Sequence, residues 1–344
     1  MVRDKLRAAV AFPISRANYR TLDPDWEGQV FVADIDRTYL STHFSSLRGM
    51  ARIPFERAAE KKDIEGMARL FREVRKGPGA NPRETPLFFV SASPKQLRPV
   101  IERKMALDGI GFDGTIFKDW NKVVRRGRLR RLREQIGFKM TALLASRAHL
   151  PVGAQEILIG DDLETDPITY AIYADCLADR IPVDDLARVL RLNGVLPSDA
   201  EDIARVRREL RPGLGVLRAF IRLERHADTD DFIDFAPGVI GCTGAFQMAV
   251  AMWKLGSITL PGICRVAFDL VTRGVSPAVL AERLRDLSRR AMVTHEEAEA
   301  IAEPLVRNRT MADLDPCVTP DPRWVAVWQH QPYRVWTPAR YLGE

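Results

Sequence analysis

Apolar runs bounded by turn residues recur along the first half of the chain, with helical patterns between them. The runs occupy residues 29–34, 86–91, 114–118 and 155–160. Continuous apolar runs of this length are typical of strands buried on both faces, and strands that alternate with helices indicate a parallel sheet. The pattern therefore predicts an α/β fold built on a doubly wound parallel sheet.

Two of these strands are followed by signals for the start of a helix. After the second strand, Ser93 is placed as an N-cap before Pro94, which predicts a helix that runs to about Leu107. After the fourth strand, Asp166 is placed as the cap of a helix opened by Pro167.

Beyond about residue 180 strand patterns become scarce and amphipathic helices follow one another to about Arg307. Ser198 to Glu201 and Thr294 to Glu297 have the spacing of capping boxes, and Ser276-Pro277 opens another helix. The apolar segment Gly238 to Leu255 contains Gln247 and Lys254, so we interpret it as a buried helix rather than a membrane span. The predicted domains are an α/β domain at 1–180, a helical module at 181–315, and a Pro/Trp-rich tail at 316–344 that packs on a domain.

Composition and charge narrow the class of protein. The apolar fraction is 46% and the charged fraction 28%, which is ordinary for a soluble globular chain. The four cysteines are far apart, and Asp4 and Arg7 interrupt the N-terminal apolar stretch, so a reducing, cytoplasmic location is expected. Residues 1–150 hold 30 Lys/Arg against 17 Asp/Glu, whereas the remainder holds 22 against 29. This basic first half favours an anionic substrate.

Candidate chemistry lies where the predicted strands end. The first strand ends at Asp34-Ile-Asp36, the second at Ser91, and the last at Asp161. Because the carboxyl ends of parallel strands share one edge of the sheet, these side chains are expected to meet. Neighbouring carboxylates invite a divalent cation, and a set of oxygen ligands without histidine suits Mg²⁺.

The order of these motifs resembles the four motifs of the haloacid dehalogenase superfamily. The four motifs follow one another in the order of that superfamily. They are Asp34-x-Asp36-x-Thr38, the strand ending at Ser91, Lys139, and Gly160-Asp161 through Asp166. Within it, roughly residues 28–177 resemble the actin-patch-type phosphatidate phosphatase catalytic domain. The further stretches Ile53-Pro54-Phe55 and Glu65-Gly66-Met67 agree with this resemblance.

The resemblance implies a role for each position. Asp34 would be the nucleophile, Asp36 the acid/base, and Ser91 and Lys139 the groups that bind phosphoryl oxygens. Mg²⁺ would be held by Asp34, the Asp36 carbonyl and Asp161. The supporting residues implied around this site are Thr38, Asp162 and Asp166. Arg37, Ser93 and Lys95 are further candidates for contacting the substrate.

Several alternatives stay open at this point. Lys118 and Lys122 compete with Lys139 for the role of the phosphate-binding lysine. Arg37 stands where the family commonly has another acid, which changes the charge at the mouth of the site. The fifty residues from Thr38 to Leu87 leave room for a few helices but not for a large cap domain, so the site suits a phosphate presented on something larger than a metabolite.

The leading hypothesis is a Mg²⁺-dependent phosphatase that acts on a phosphorylated lipid such as phosphatidate. Eight basic residues could contact an anionic membrane surface or nucleic-acid phosphates. They are Lys122, Arg125, Arg126, Arg128, Arg130, Arg131, Arg133 and Lys139. The alternatives are a phosphatase for nucleotides or polynucleotide ends and a non-catalytic binding module with the same fold. The sequence does not decide the oligomeric state or the role of the helical module.

Overall fold

The computed structural model describes residues 13–41, 62–79, 84–120, 135–210, 215–224, 228–316 and 318–329. Within these ranges the chain forms seven strands and eleven α-helices. The strands are β1 Ile14–Asn18, β2 Gly28–Asp34, β3 Leu87–Pro94, β4 Gly114–Lys118, β5 Ala154–Asp161, β6 Val216–Arg222 and β7 Val239–Cys242. The helices are α1 Met67–Lys76, α2 Arg98–Leu107, α3 Ile136–Arg147, α4 Asp166–Leu177, α5 Val183–Leu192, α6 Pro197–Glu209, α7 Ala245–Lys254, α8 Leu260–Thr272, α9 Pro277–Arg289, α10 His295–Arg307 and α11 Pro322–Gln329.

All seven strands form one sheet in the order β1-β4-β3-β2-β5-β6-β7. Every neighbouring pair is parallel except β1 and β4, which are antiparallel. The chain builds outward from β2 to β3 and β4 on one side and from β5 to β6 and β7 on the other. The order therefore reverses between β2 and β5, and this switch point is where open α/β sheets form a crevice. The predicted doubly wound α/β fold is confirmed.

The sheet has two hydrophobic faces because successive residues of each strand point to opposite sides. On one face, Phe31 and Ala33 of β2 share a buried cluster with helices α1, α2 and α7 to α10. On the other face, Val30 and Val32 share a second buried cluster with α3 to α6. The C-terminal helices thus pack directly on the sheet, over the same face as α1 and α2.

The second half of the chain is not purely helical, because β6 and β7 lie within it and extend the sheet beyond β5. Neither strand was predicted from the sequence, and the edge strand β1 was not predicted either. The apolar segment Gly238 to Leu255 is a short strand followed by helix α7, so the prediction of one buried helix there is only half right. The boundaries at residues 180 and 315 stay predictions.

The helix starts in this half were predicted with mixed success. The capping box from Thr294 to Glu297 is present, and the Ser276 side chain caps α9. The box predicted from Ser198 is wrong, because α6 already begins at Pro197 and Leu196 is its N-cap residue. In the described part of the chain, no helix combines the length and the apolar character needed to cross a membrane.

Candidate active site

The two aspartates that follow the apolar run of β2 are buried at the switch point. Asp34 is the last residue of β2, which is hydrogen-bonded on both sides to β3 and β5. Asp36 lies just beyond it, and its Oδ2 accepts hydrogen bonds from Ser91 Oγ at 2.7 Å and Ser93 Oγ at 2.9 Å. Both carboxylates are less than 5% exposed. The end of β3 therefore fixes the orientation of the Asp36 side chain.

This use of Ser93 differs from the predicted N-cap. Strand β3 continues to Pro94, a 3-10 turn spans Lys95–Leu97, and α2 begins only at Arg98. The Ser93 hydroxyl is drawn to the Asp36 carboxylate, so the site, and not the helix, uses this side chain.

Strand β5 brings a second group of acids to the same edge. Asp161 ends the strand, and its Oδ1 accepts backbone hydrogen bonds from Leu163 at 2.8 Å and Glu164 at 3.2 Å. Asp166 is the first residue of α4 and not its cap; its Oδ2 accepts from the Asp161 amide at 3.3 Å. A Cβ at Gly160 would lie 2.3 Å from Asp166 Oδ2, so glycine lets α4 approach the strand closely.

Lys139, in the first turn of α3, is the buried cation among these acids. Its Nζ lies 3.0 Å from Asp34 Oδ1 and 3.1 Å from Glu164 Oε2, and it donates to Asp166 Oδ1. Burial by itself lowers the pKa of an ammonium, but Asp166, Asp34 and Glu164 together raise the pKa of Lys139 well above its usual value. Lys139 therefore stays charged inside the site.

Of the two lysines that compete with Lys139, Lys118 is described by the structure and Lys122 is not. Lys118 is buried with its Nζ over the Phe138 ring, 5.6 Å from the ring centroid. Lys122, like most of the basic segment and Ile53-Pro54-Phe55, lies outside the described residues. Of the three candidates, Lys139 is the one that the described structure places against Asp34.

Burial dominates the electrostatics of the acids. It raises the pKa of Asp34 well above its usual value although the Lys139 ammonium opposes the change. Burial likewise raises the pKa of Asp36 to about 6, although hydrogen bonds from Ser91 and Ser93 oppose this shift. Burial raises the pKa of Asp166 to about 7. Burial also raises the pKa of Asp161. Because burial disfavours their charged forms, these acids ionise less readily than exposed ones. Among the described residues, the Lys139 ammonium opposes this shift at Asp34, Asp161 and Asp166.

The acids have the arrangement needed for a cation. Carboxylate oxygens of Asp34, Asp161 and Asp166 lie within 4.8 Å of one another. Asp34 Oδ2 is buried and accepts no hydrogen bond from the described residues. Buried oxygen donors that lack protein partners suit a hard cation such as Mg²⁺. Asp166, predicted only as support, thus belongs to the group of acids that could hold the ion.

The remaining predicted residues lie around this group. Thr38 is buried with its Oγ1 3.5 Å from Asp161 Oδ2. Asp162 faces the end of β6, where its Oδ1 accepts from the Glu224 amide at 2.8 Å. Lys95, predicted to contact substrate, forms an ion pair with Asp119 at 3.0 Å and is about one-third exposed.

Arg37 has a partner that the sequence did not indicate. Its guanidinium forms an ion pair with Glu224 at 3.1 Å, and Arg222 donates to its backbone carbonyl. Glu224, two residues beyond the end of β6, thus places an acid beside Arg37, the position where the family commonly has an acid. Arg222 and Glu224 were not predicted as site residues because β6 was not predicted. Glu164 was not predicted either, although the acidic loop after β5 contains it.

Residues 29–183 match the family model described as "Phosphatidate phosphatase APP1, catalytic domain". This family is haloacid dehalogenase-like, so the resemblance predicted from the motifs is confirmed. The match spans β2 to α4 and ends before β6. No curated protein and no solved structure matches the chain. The description names a phosphatase for phosphatidate, which is an activity of that family.

Proposed function

We propose that the chain is a Mg²⁺-dependent phosphatase that hydrolyses a phosphorylated lipid of the phosphatidate type through an aspartyl-phosphate. The observation that carries the proposal is the buried group formed by Asp34, Asp161, Asp166 and Lys139 within the segment that matches the phosphatidate phosphatase family. A purely structural salt-bridge cluster would not need three buried acids with oxygens within 4.8 Å of one another, nor a buried Asp34 Oδ2 that accepts no hydrogen bond from the described residues.

In the proposed reaction Asp34 attacks phosphorus and the bond to the leaving alkoxide breaks. Asp36 gives its proton to that alkoxide, and its carboxylate then takes a proton from the water that attacks the aspartyl-phosphate. Phosphate leaves and both aspartates return to their starting states. The raised pKa of Asp36, about 6, keeps a useful fraction protonated near neutral pH.

The other residues hold charge and position. Lys139 and Ser91 would bind the phosphoryl oxygens, and the ammonium of Lys139 also orients the Asp34 carboxylate that it contacts at 3.0 Å. Mg²⁺, when bound by Asp34, Asp161 and Asp166, would supply positive charge that offsets the negative charge on the phosphoryl oxygens. The Asp36 carbonyl remains a proposed further ligand.

The test is phosphate release with Mg²⁺ from phosphatidate in mixed micelles, glycerol phosphate, a nucleotide, a 5′-phosphorylated oligonucleotide and a phosphopeptide. We expect phosphatidate to be preferred and EDTA to abolish turnover. Asp34→Asn should remove activity, whereas Asp199→Asn, at a buried aspartate of α6 outside this group, should retain it.

Each other outcome overturns a stated part. Fast hydrolysis of small esters with none of phosphatidate contradicts the lipid substrate. Preference for the oligonucleotide, lost at high salt, favours a polynucleotide-end phosphatase. Absence of turnover on every substrate favours a binding module.

A further inference from the structure

Strand β6 ends beside the backbone that follows β2, the strand that ends at Asp34. The Arg222 guanidinium donates two hydrogen bonds to the carbonyl of Arg37, from Nε at 2.9 Å and from Nη2 at 2.6 Å. The Arg222 side chain is only 12% exposed. A partly buried contact from two guanidinium nitrogens to one carbonyl fixes both the position and the direction of that peptide.

That peptide belongs to a turn with an unusual backbone. Arg37 has a φ of 64°, a left-handed conformation that is unfavourable for a residue with a side chain. The turn is closed by hydrogen bonds from the amides of Tyr39 and Leu40 to the Ile35 carbonyl, and from the Arg37 amide to the Leu40 carbonyl. Contacts from outside the turn are needed to hold such a conformation against relaxation, and Arg222 provides them.

Glu224 ties the same strand end to a third loop. Its carboxylate pairs with both Arg222 and Arg37, and its amide donates to Asp162 Oδ1 at 2.8 Å. The end of β6 therefore joins the loop after β2 to the loop after β5. The Asp36 side chain is held by Ser91 and Ser93 from β3. The backbone one residue further on, at the Arg37 carbonyl, is held by Arg222 of β6.

We propose that Arg222 is a positioning residue for Asp36 and acts through the Arg37 carbonyl. Strand β6, which carries Arg222, is therefore part of the site. The inference rests on the proposed acid/base role of Asp36. It extends the site beyond the matched residues 29–183, because Arg222 lies outside them.

A displaced general acid has a kinetic signature that general damage does not share. Hydrolysis of an alkyl phosphate needs a proton on the leaving oxygen, whereas p-nitrophenolate leaves without one. General acid–base groups contribute about 10²- to 10⁴-fold, so Arg222→Met should lower kcat/KM for phosphatidate by about 10-fold or more. For p-nitrophenyl phosphate, kcat/KM should change much less. For Arg222→Lys, kcat/KM for phosphatidate should lie between the values of the wild type and Arg222→Met, because an ammonium replaces only part of the two-nitrogen guanidinium contact.

The matched control is Arg218→Met, on the same strand and the same face of β6, where the guanidinium contacts the Pro237 carbonyl and the Trp328 ring. It should leave the ratio of the two substrates unchanged. In the Asp36→Asn background, Arg222→Met should cost little more, because the group that it positions is gone. Equal loss on both substrates, or full additivity with Asp36→Asn, would overturn the inference.

A second measurement does not depend on turnover. Hydrogen exchange followed by mass spectrometry should show faster exchange in the peptide that covers residues 35–40 of Arg222→Met, and not in Arg218→Met. Unchanged exchange in that peptide would overturn the positioning role. Wild-type protein without phosphatase activity would contradict the proposed function, and the exchange result would then decide separately whether Arg222 holds the turn.

Discussion

Replacing Lys139 with methionine tests whether the acids depend on one buried cation. Lys139 Nζ contacts Asp34, Glu164 and Asp166, and all four side chains are at most 5% exposed. Removing one partner of a buried ion pair leaves charge without compensation and costs about 3–5 kcal/mol. At about 2.1 cal/mol/K of unfolding entropy per residue, a chain of 344 residues loses about 4–7 °C in Tm.

The assay is thermal unfolding of metal-free protein at pH 7.5, repeated with saturating MgCl₂. Mg²⁺ should raise the Tm of Lys139→Met by more than it raises that of the wild type, because the ion then offsets acids that the lysine no longer balances. Lys104→Met is the matched control: Lys104 is buried and pairs with Asp108, outside the site. That variant should lose stability with no added response to Mg²⁺.

The dependence of the acids on Lys139 is refuted if metal-free Lys139→Met unfolds at the wild-type temperature. It is also refuted if Mg²⁺ stabilises Lys139→Met and Lys104→Met equally. Either result would mean that the acids are not balanced chiefly by Lys139.

Two further predictions concern β5. Gly160→Ala should destabilise the protein by about 1–3 kcal/mol in denaturant unfolding and weaken Mg²⁺ binding in calorimetry, because the new Cβ collides with Asp166; unchanged Mg²⁺ affinity would contradict this. Glu156 is buried beside Arg147 and Tyr173, and burial raises its pKa from 4.5 to about 7. The native state thus binds the extra proton, so this contribution is complete below pH 4.5 and lost as pH rises through 7. Stability should fall by about 3 kcal/mol more between pH 4.5 and 8 in the wild type than in Glu156→Gln, and parallel profiles would refute the assignment.

The strands that were predicted from the sequence are those that have continuous apolar runs, because they are buried on both faces. β2 to β5 were recognised because both of their faces are covered by helices. β1 carries only one large apolar residue, Ile14, and lies at the edge. In β6, Arg218 and Arg222 interrupt the apolar run because each guanidinium finds a partner in the folded state. β7 is four residues long and merges with an apolar helix.

The site divides in the same way. Asp34, Asp36, Ser91 and Asp161 were predicted together because strand ends of a parallel sheet meet at one edge. The bonds from Ser93 to Asp36 and from Arg222 to Arg37 depend on how far β3 extends and on which strand lies beside β5. Local patterns do not carry that information, so these contacts appear only in the folded chain.

The proposed aspartyl-phosphate is tested most sharply by identifying the residue that carries phosphate during turnover. Wild-type protein with Mg²⁺ and phosphatidate should be quenched in acid within one turnover and digested for mass spectrometry. We expect a hydroxylamine-labile phosphoryl group on Asp34, absent from Asp34→Asn and present in Asp199→Asn. Mg²⁺-dependent turnover that persists in Asp34→Asn, or a phosphoryl group on any other residue, would contradict it.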